Sequence, residues 1–113
     1  MSGYDNKQYI CSLDLGFDQI RGKWKAVILC HLDEGPKRFL ALQRMTGSIS
    51  QKMLNESLRE MESDGLINKV VFPETPPRVE YSLTEKGAKL VPALKIIESW
   101  AKEYYPNADV KSK

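Results

Sequence analysis

The feature that most constrains this chain is a change of period in its second half. Up to Gly65, apolar residues recur at helical spacing. In "LINKVVF", Leu66 to Phe72, β-branched residues dominate, and "VEYSL", Val79 to Leu83, alternates apolar with polar. Only "PETPPR" lies between these two runs. That is too short for the crossover a parallel pair needs, so the runs must form an antiparallel hairpin. Val79, Tyr81 and Leu83 should face inward, and Glu80 and Ser82 outward. Proline cannot donate to a ladder, so Pro73, Pro76 and Pro77 mark where the sheet ends. Phe72, Thr75 and Pro76 each precede a proline and are pushed toward extended conformations, which stiffens the tip.

Helical patterns surround the hairpin. Leu13 to Ile20 can form a short helix with Leu13, Phe17 and Ile20 on one side. "KWKAVILCHLD", Lys23 to Asp33, places Trp24, Val27, Ile28 and Leu32 at helical spacing until Gly35–Pro36 stops it. A third helix runs from Phe39 to Met45, closed by Thr46–Gly47, with Phe39 and Leu42 inward. A fourth runs from Ser50 to Asp64. Ser48 with Gln51 fits a capping box, Ser50 is the competing N-cap, and Gly65 is the expected C′ residue. After Thr84, "EKGAKLVPALKIIESWAKEYY" reads as a long helix, with a kink or break expected near Lys89 because of Pro92. Residues 106–113 read as a loose tail. Four helices, a hairpin and a final helix define a mostly helical α+β fold. It is a winged helix-turn-helix with a two-stranded β-wing, filling one domain over residues 1–113.

Composition narrows the function classes. With 113 residues, 42% hydrophobic and 28% charged, the chain suits one ordinary globular domain. No apolar run approaches the roughly 18 residues that span a bilayer, and "MSGYDNKQYI" has no signal-peptide core, so a cytoplasmic, nucleoid-associated location is expected with no membrane partner. Cys11, Cys30 and the single His31 make a poor metal set, and both thiols are expected free. No nucleophile–base arrangement and no phosphate-binding loop is present. Neither an enzyme nor a cofactor is therefore expected.

Charge is unevenly distributed. From Arg21 to Arg59 eight bases face three acids, a balance of +5; from Glu60 to Asp109 nine acids face six bases, a balance of −3. On the fourth helix, Met53, Leu54, Leu58 and Met61 fall on one side, and Gln51, Lys52, Asn55 and Arg59 on the other. Gln and Asn can pair with adenine in two-point fashion, while Lys and Arg suit guanine or phosphate, as a recognition helix in a major groove requires. An ordinary solvated face satisfies the same pattern. With Arg38, Ser48, Ser50 and the wing's Arg78, these four complete the candidate contacts to double-stranded DNA. Arg78 stands where it can reach DNA or turn back to Glu74 or Glu80.

The last helix carries the stripe Leu90, Leu94, Ile97, Trp100, Ala101 and Tyr104. A domain this small cannot cover all of it, although half of it can belong to the protomer's own core. With Leu13 and Phe17, the stretch of Leu94, Ile97, Trp100, Ala101 and Tyr104 is the expected seam of a two-fold homodimer.

"GKWKAVIL", "GPKRFLAL", "ISQKMLNESLREMESDGLI" and "PPRVEYSLTEKG" closely resemble the HxlR family of bacterial transcription regulators, winged-helix relatives of the MarR group. The resemblance runs from about Cys11 to Trp100. It implies a homodimeric, sequence-specific DNA-binding regulator, with Ser50, Gln51, Lys52 and Asn55 on the recognition helix and Arg78 on the wing. It also implies a dimer interface built from the N-terminal helix and the helix around Ile97 and Trp100. Cys11 falls where many members carry a cysteine, which a few use to sense oxidants or electrophiles. The proline that often follows it is replaced here by Ser12. Cys11 is thus the candidate redox residue of an alternative reading, in which DNA binding is switched through that thiol or a pocket at the dimer interface. A winged helix used for protein–protein contact is the rival without DNA.

Overall fold

The computed structural model describes residues 7–47 and 49–110. Five helices and three strands follow in the order α1 (Ser12–Gln19), α2 (Lys25–Leu32), β1 (Lys37–Arg38), α3 (Phe39–Thr46), α4 (Gln51–Ser63), β2 (Ile67–Phe72), β3 (Arg78–Leu83) and α5 (Glu85–Tyr104). Helix bounds agree with the sequence pattern to within about two residues. The core is a single cluster built on Ile28, Leu29, Leu42, Leu54, Leu58, Met61, Leu66 and Ile67, all essentially inaccessible to solvent. Tyr81 reaches it from β3, with Val79 and Leu83 packed against it, so the inward set of the second strand is as expected.

The sheet has three strands, not two. β2 and β3 form the expected antiparallel hairpin, with Phe72 opposite Arg78 and Ile67 opposite Leu83. β1 adds to the other edge of β3, pairing Lys37 with Tyr81 and Arg38 with Glu80. Two residues are too few to show a period of two, which is why β1 leaves no trace in the sequence pattern. Its effect is mechanical: the start of α3 is fastened to the wing.

The helix-turn-helix closes on capping geometry. Gly47, with φ 89°, takes the left-handed turn that ends α3. Ser50 caps α4, its hydroxyl accepting from the Met53 amide at 3.1 Å. The competing cap, Ser48, lies outside the described residues. At the far end the Leu66 amide donates to Met61 O and the Gly65 amide to Glu62 O, with Gly65 at φ 78°. That is the Schellman arrangement, with glycine at C′.

α5 is sewn to this junction. Thr84 Oγ1 accepts from the Gly87 amide at 3.1 Å and donates to Gly65 O at 2.6 Å; Lys86 Nζ donates to Asp64 O at 2.7 Å. A side chain at Gly87 would press directly on the Leu66 carbonyl. Helix α5 runs unbroken through Pro92, so of the kink or break expected there, the break does not occur. Pro92 and Ala88 are both exposed, and water can serve the carbonyl that the missing N–H leaves without an intrahelical donor. On the opposite side Val91 and Leu94 are buried and hold the helix to the body.

Two inward assignments and one seam assignment are corrected by the packing. Met53 and Val27 are 43% and 40% exposed, lying at the edges of their helices' buried faces. Leu94 is 7% exposed and belongs to the protomer's own core, not to an open seam, because α5 packs against α2.

Candidate nucleic-acid interface

Helix α4 separates two faces by spacing alone. Leu54, Ser57, Leu58 and Met61 are buried, while Gln51, Lys52, Asn55 and Arg59 are all exposed. Steps of three and four residues align the exposed side chains on one stripe, about 12 Å long at 1.5 Å per residue. Of the two acids bordering it, Glu56 is part-buried and Glu60 is paired with another helix. Lys25 of α2 is nearly buried and meets Glu60 at 2.6 Å. The hydrogen bond from Lys25 holds the Glu60 carboxyl below its ordinary value, against the opposing pull of partial burial. This ion pair both ties α4 to α2 and removes one negative charge from the face beside Arg59.

The other candidates fall in distinct places. Arg38 is exposed, at the end of β1 and the N-cap position of α3. Ser50 is exposed at the start of α4, its hydroxyl already engaged in capping. Ser48 lies outside the described residues. Two further cations are exposed on the same elements, Arg44 on α3 and Lys69 on β2. Sequence reasoning counted them in its charge balance without assigning them a role, since exposure cannot be read from charge.

Arg78 does not extend from the wing. Its Nη2 lies 3.1 Å from Glu74 and its Nη1 3.3 Å from Glu80. Its guanidinium stacks 4.0 Å from the centre of the Phe72 ring. The alternative left open by the sequence is thus resolved for the free protein: Arg78 turns back, to both acids at once.

The expected seam residues divide. Apart from Leu94, they are open: Leu13 67%, Phe17 53%, Ile97 50%, Trp100 55% and Tyr104 63% exposed, with Ala101 exposed beside them. Between α1, α2 and α5 lies a mainly apolar groove of about 660 Å³, bordered by Phe17, Ile20, Val27, Leu94 and Ile97. Cys30 and His31 line it from α2, part-buried as core-edge residues. Burial, then the Glu98 carboxylate, push the Cys30 thiol above its ordinary range, away from reactivity. Cys11 is exposed at the N-terminus of α1, and both thiols are free. Among the described residues no group of three His, Cys, Asp or Glu side chains is placed to hold a metal ion, and no helix is long and apolar enough to cross a membrane.

Fold and helix faces define a winged helix-turn-helix of the kind found in transcription regulators. The family profile for the HxlR-like helix-turn-helix matches residues 19–109. An uncharacterised HTH-type transcriptional regulator of Methanothermobacter thermautotrophicus is 46% identical over 108 residues, covering 91% of this chain and 82% of its own. Among solved structures, the redox regulator HypR in its oxidised form superposes with a TM-score of 0.80 at 41% identity, covering 88% of this chain and all of its own. The reduced form of the regulator YodB from Bacillus subtilis gives 0.75 at 34% identity, covering 90% and 100%. The chain belongs to the HxlR family and is a helix-turn-helix transcriptional regulator.

Proposed function

We propose that this regulator acts as a homodimer on a two-fold DNA site, in the cytoplasm at the nucleoid. Each protomer lays α4 in a major groove, and the two recognition helices sit about 34–36 Å apart, one turn of duplex. The observation that carries this reading is the acid-free stripe of Gln51, Lys52, Asn55 and Arg59, exposed along a helix whose other face is core. Lys52 and Arg59, with Arg38, would supply phosphate contacts, and Gln51 and Asn55 base contacts. Ser50, at the N-cap of α4, would approach the backbone, and Ser48, two residues before it in the sequence, is proposed with it. The wing, with Arg78 at the base of its tip, would lie over the adjacent minor groove.

Dimerisation is supported by the open apolar side chains of α1 and the distal half of α5. α1 has eight residues and buries none of them fully, and so short a helix has little stability of its own in water. A partner's α1 and α5 would cover Leu13, Phe17, Ile97, Trp100, Ala101 and Tyr104. The test is binding to duplex fragments selected from the source genome, at rising salt. Affinity should fall by about 10³-fold or more between 50 and 200 mM salt if at least six phosphates are contacted. Binding that ignores salt and sequence would leave the protein–protein winged helix as the better account.

A second reading has one observation behind it. Redox regulators stand among the solved relatives, and Cys11 is exposed at the start of a helix assigned to the seam. Oxidation there would change DNA binding through the dimer. Treating the protein with an oxidant should then alter its affinity for DNA, and Cys11→Ser should abolish the response. An unchanged response in that variant would exclude Cys11 as the sensor.

A further inference from the structure

We propose that Glu74 and Glu80 are positioning residues that hold Arg78 folded on the wing and compete with DNA for it. This deepens the DNA-binding reading and rests on it. Three parts of the wing converge on one guanidinium. Phe72, at the end of β2, lies directly opposite Arg78 and provides the ring beneath it; Glu74 comes from the tip, and Glu80 from two residues further along β3. Two carboxylates therefore surround one cation, at the place where a winged helix meets a polyanion. While Arg78 stays folded, that part of the wing carries an excess of negative charge and resists phosphate.

The clamp is built to exchange. Each carboxylate makes a single-point contact, at 3.1 and 3.3 Å, rather than the two-point fork that arginine forms best. Arg78 Nε is buried without a hydrogen-bond partner among the described residues. The Glu74 side chain is 52% exposed and sits outside both strands, so it can move away without disturbing the ladder. The pair with half-exposed Glu74 is weak, the pair with Glu80 is more covered, and the planar fork of Arg78 suits a phosphate or a narrow minor groove better than two separate carboxylates. DNA would replace one or both acids and take up the donors that the clamp leaves poorly used. Binding affinity then includes the cost of opening the clamp.

The experiment is a double-mutant cycle on a duplex fragment selected with the wild-type protein. Glu74→Gln with Glu80→Gln should tighten binding by about three- to tenfold, the range expected for losing two weak ion pairs. The same pair of substitutions in the Arg78→Ala background should give a smaller gain. If Arg78 were a permanent pin, it would neutralise part of the carboxylate charge, and the gain would be larger in the Arg78→Ala background. That result, or equal gains in both backgrounds, overturns the proposal. Glu74→Gln alone provides a version of the cycle confined to the loop, should the double variant unfold. Wild-type protein that binds no DNA in a salt-dependent way removes the DNA reading itself, and this proposal with it. Wild-type binding with no excess gain removes the clamp alone.

Discussion

Helices α4 and α5 each bury one side in the same core, and each leaves another side open. On α4 the open side carries Gln51, Lys52, Asn55 and Arg59; on α5 it carries Ile97, Trp100, Ala101 and Tyr104. The first is polar along its length and fits a ligand with many charges and hydrogen-bond edges. The second exposes large apolar surface that water disfavours, and fits another protein face. One fold thus presents two surfaces of opposite chemistry. The junction where α5 begins on the end of α4, through Thr84, Lys86 and Gly87, sets their relative direction. In a dimer that direction fixes the distance between two recognition helices. On the proposed reading, the fastening would bear on DNA recognition without touching DNA.

The largest expected effect strikes that junction. Gly87→Ala places a methyl group against the Leu66 carbonyl and should lower the unfolding free energy by about 3 kcal/mol or more, read by urea denaturation. A loss below about 1 kcal/mol would show that the junction yields, and that the two faces are not held in fixed relation.

Next come two changes within the stripe of α5. Leu94→Ala opens a cavity in the protomer core and should cost about 2–4 kcal/mol of stability. Trp100→Glu should leave the folded protomer nearly as stable but convert dimer to monomer in sedimentation, since it puts a charge in the seam. A variant that stays dimeric would move the seam off distal α5. On α4 the expected effects are smaller. Asn55→Ala should reduce discrimination between selected and random DNA by about 1–3 kcal/mol, whereas Lys52→Ala should weaken both alike and lower the salt slope by about one unit. Equal losses for Asn55→Ala on both DNAs would remove it from base readout.

The smallest effect is on pH dependence. The Glu60 carboxyl is lowered in the folded protein by Lys25, so the unfolded chain binds its proton more readily. Its contribution is therefore complete above the ordinary glutamate value of about 4.3 and disappears as pH falls through the lowered one. Thermal unfolding should become less sensitive to acid below that value in Glu60→Gln than in the wild type. Identical pH profiles would mean that the pair does not bind α4 to α2.

Most of the architecture was legible before any coordinates, and the reasons are local. The hairpin followed from a loop too short for a crossover, the end of α4 from Gly65, and the start of α5 from Thr84. The polar stripe of α4 followed from helical spacing. Other features were not legible because they depend on what lies opposite. The two-residue β1 has no periodic signal, and exists because β3 leaves an edge open to it. The α5 stripe reads as one continuous surface, yet packing against the body consigns Leu94 to the core. Pro92 predicts a kink or break, and the helix, held on its inner side by Val91 and Leu94, shows no break.

By itself, then, the sequence determined the order of elements, the two faces of α4 and the membership of a family. Each rests on spacing, turn chemistry or shared residues along the chain. Only the tertiary structure decided which charges are available. Lys25 and Glu60 are far apart in sequence and close at 2.6 Å, so an acid is withdrawn from the recognition face. Arg78, the cation most readily assigned to DNA from its place in the wing, is held by Glu74, Glu80 and Phe72. A side chain's charge is written in the sequence. Whether that charge faces solvent or a partner depends on chain folding that brings distant residues within a few ångströms, where Coulomb and hydrogen-bond terms become large enough to compete.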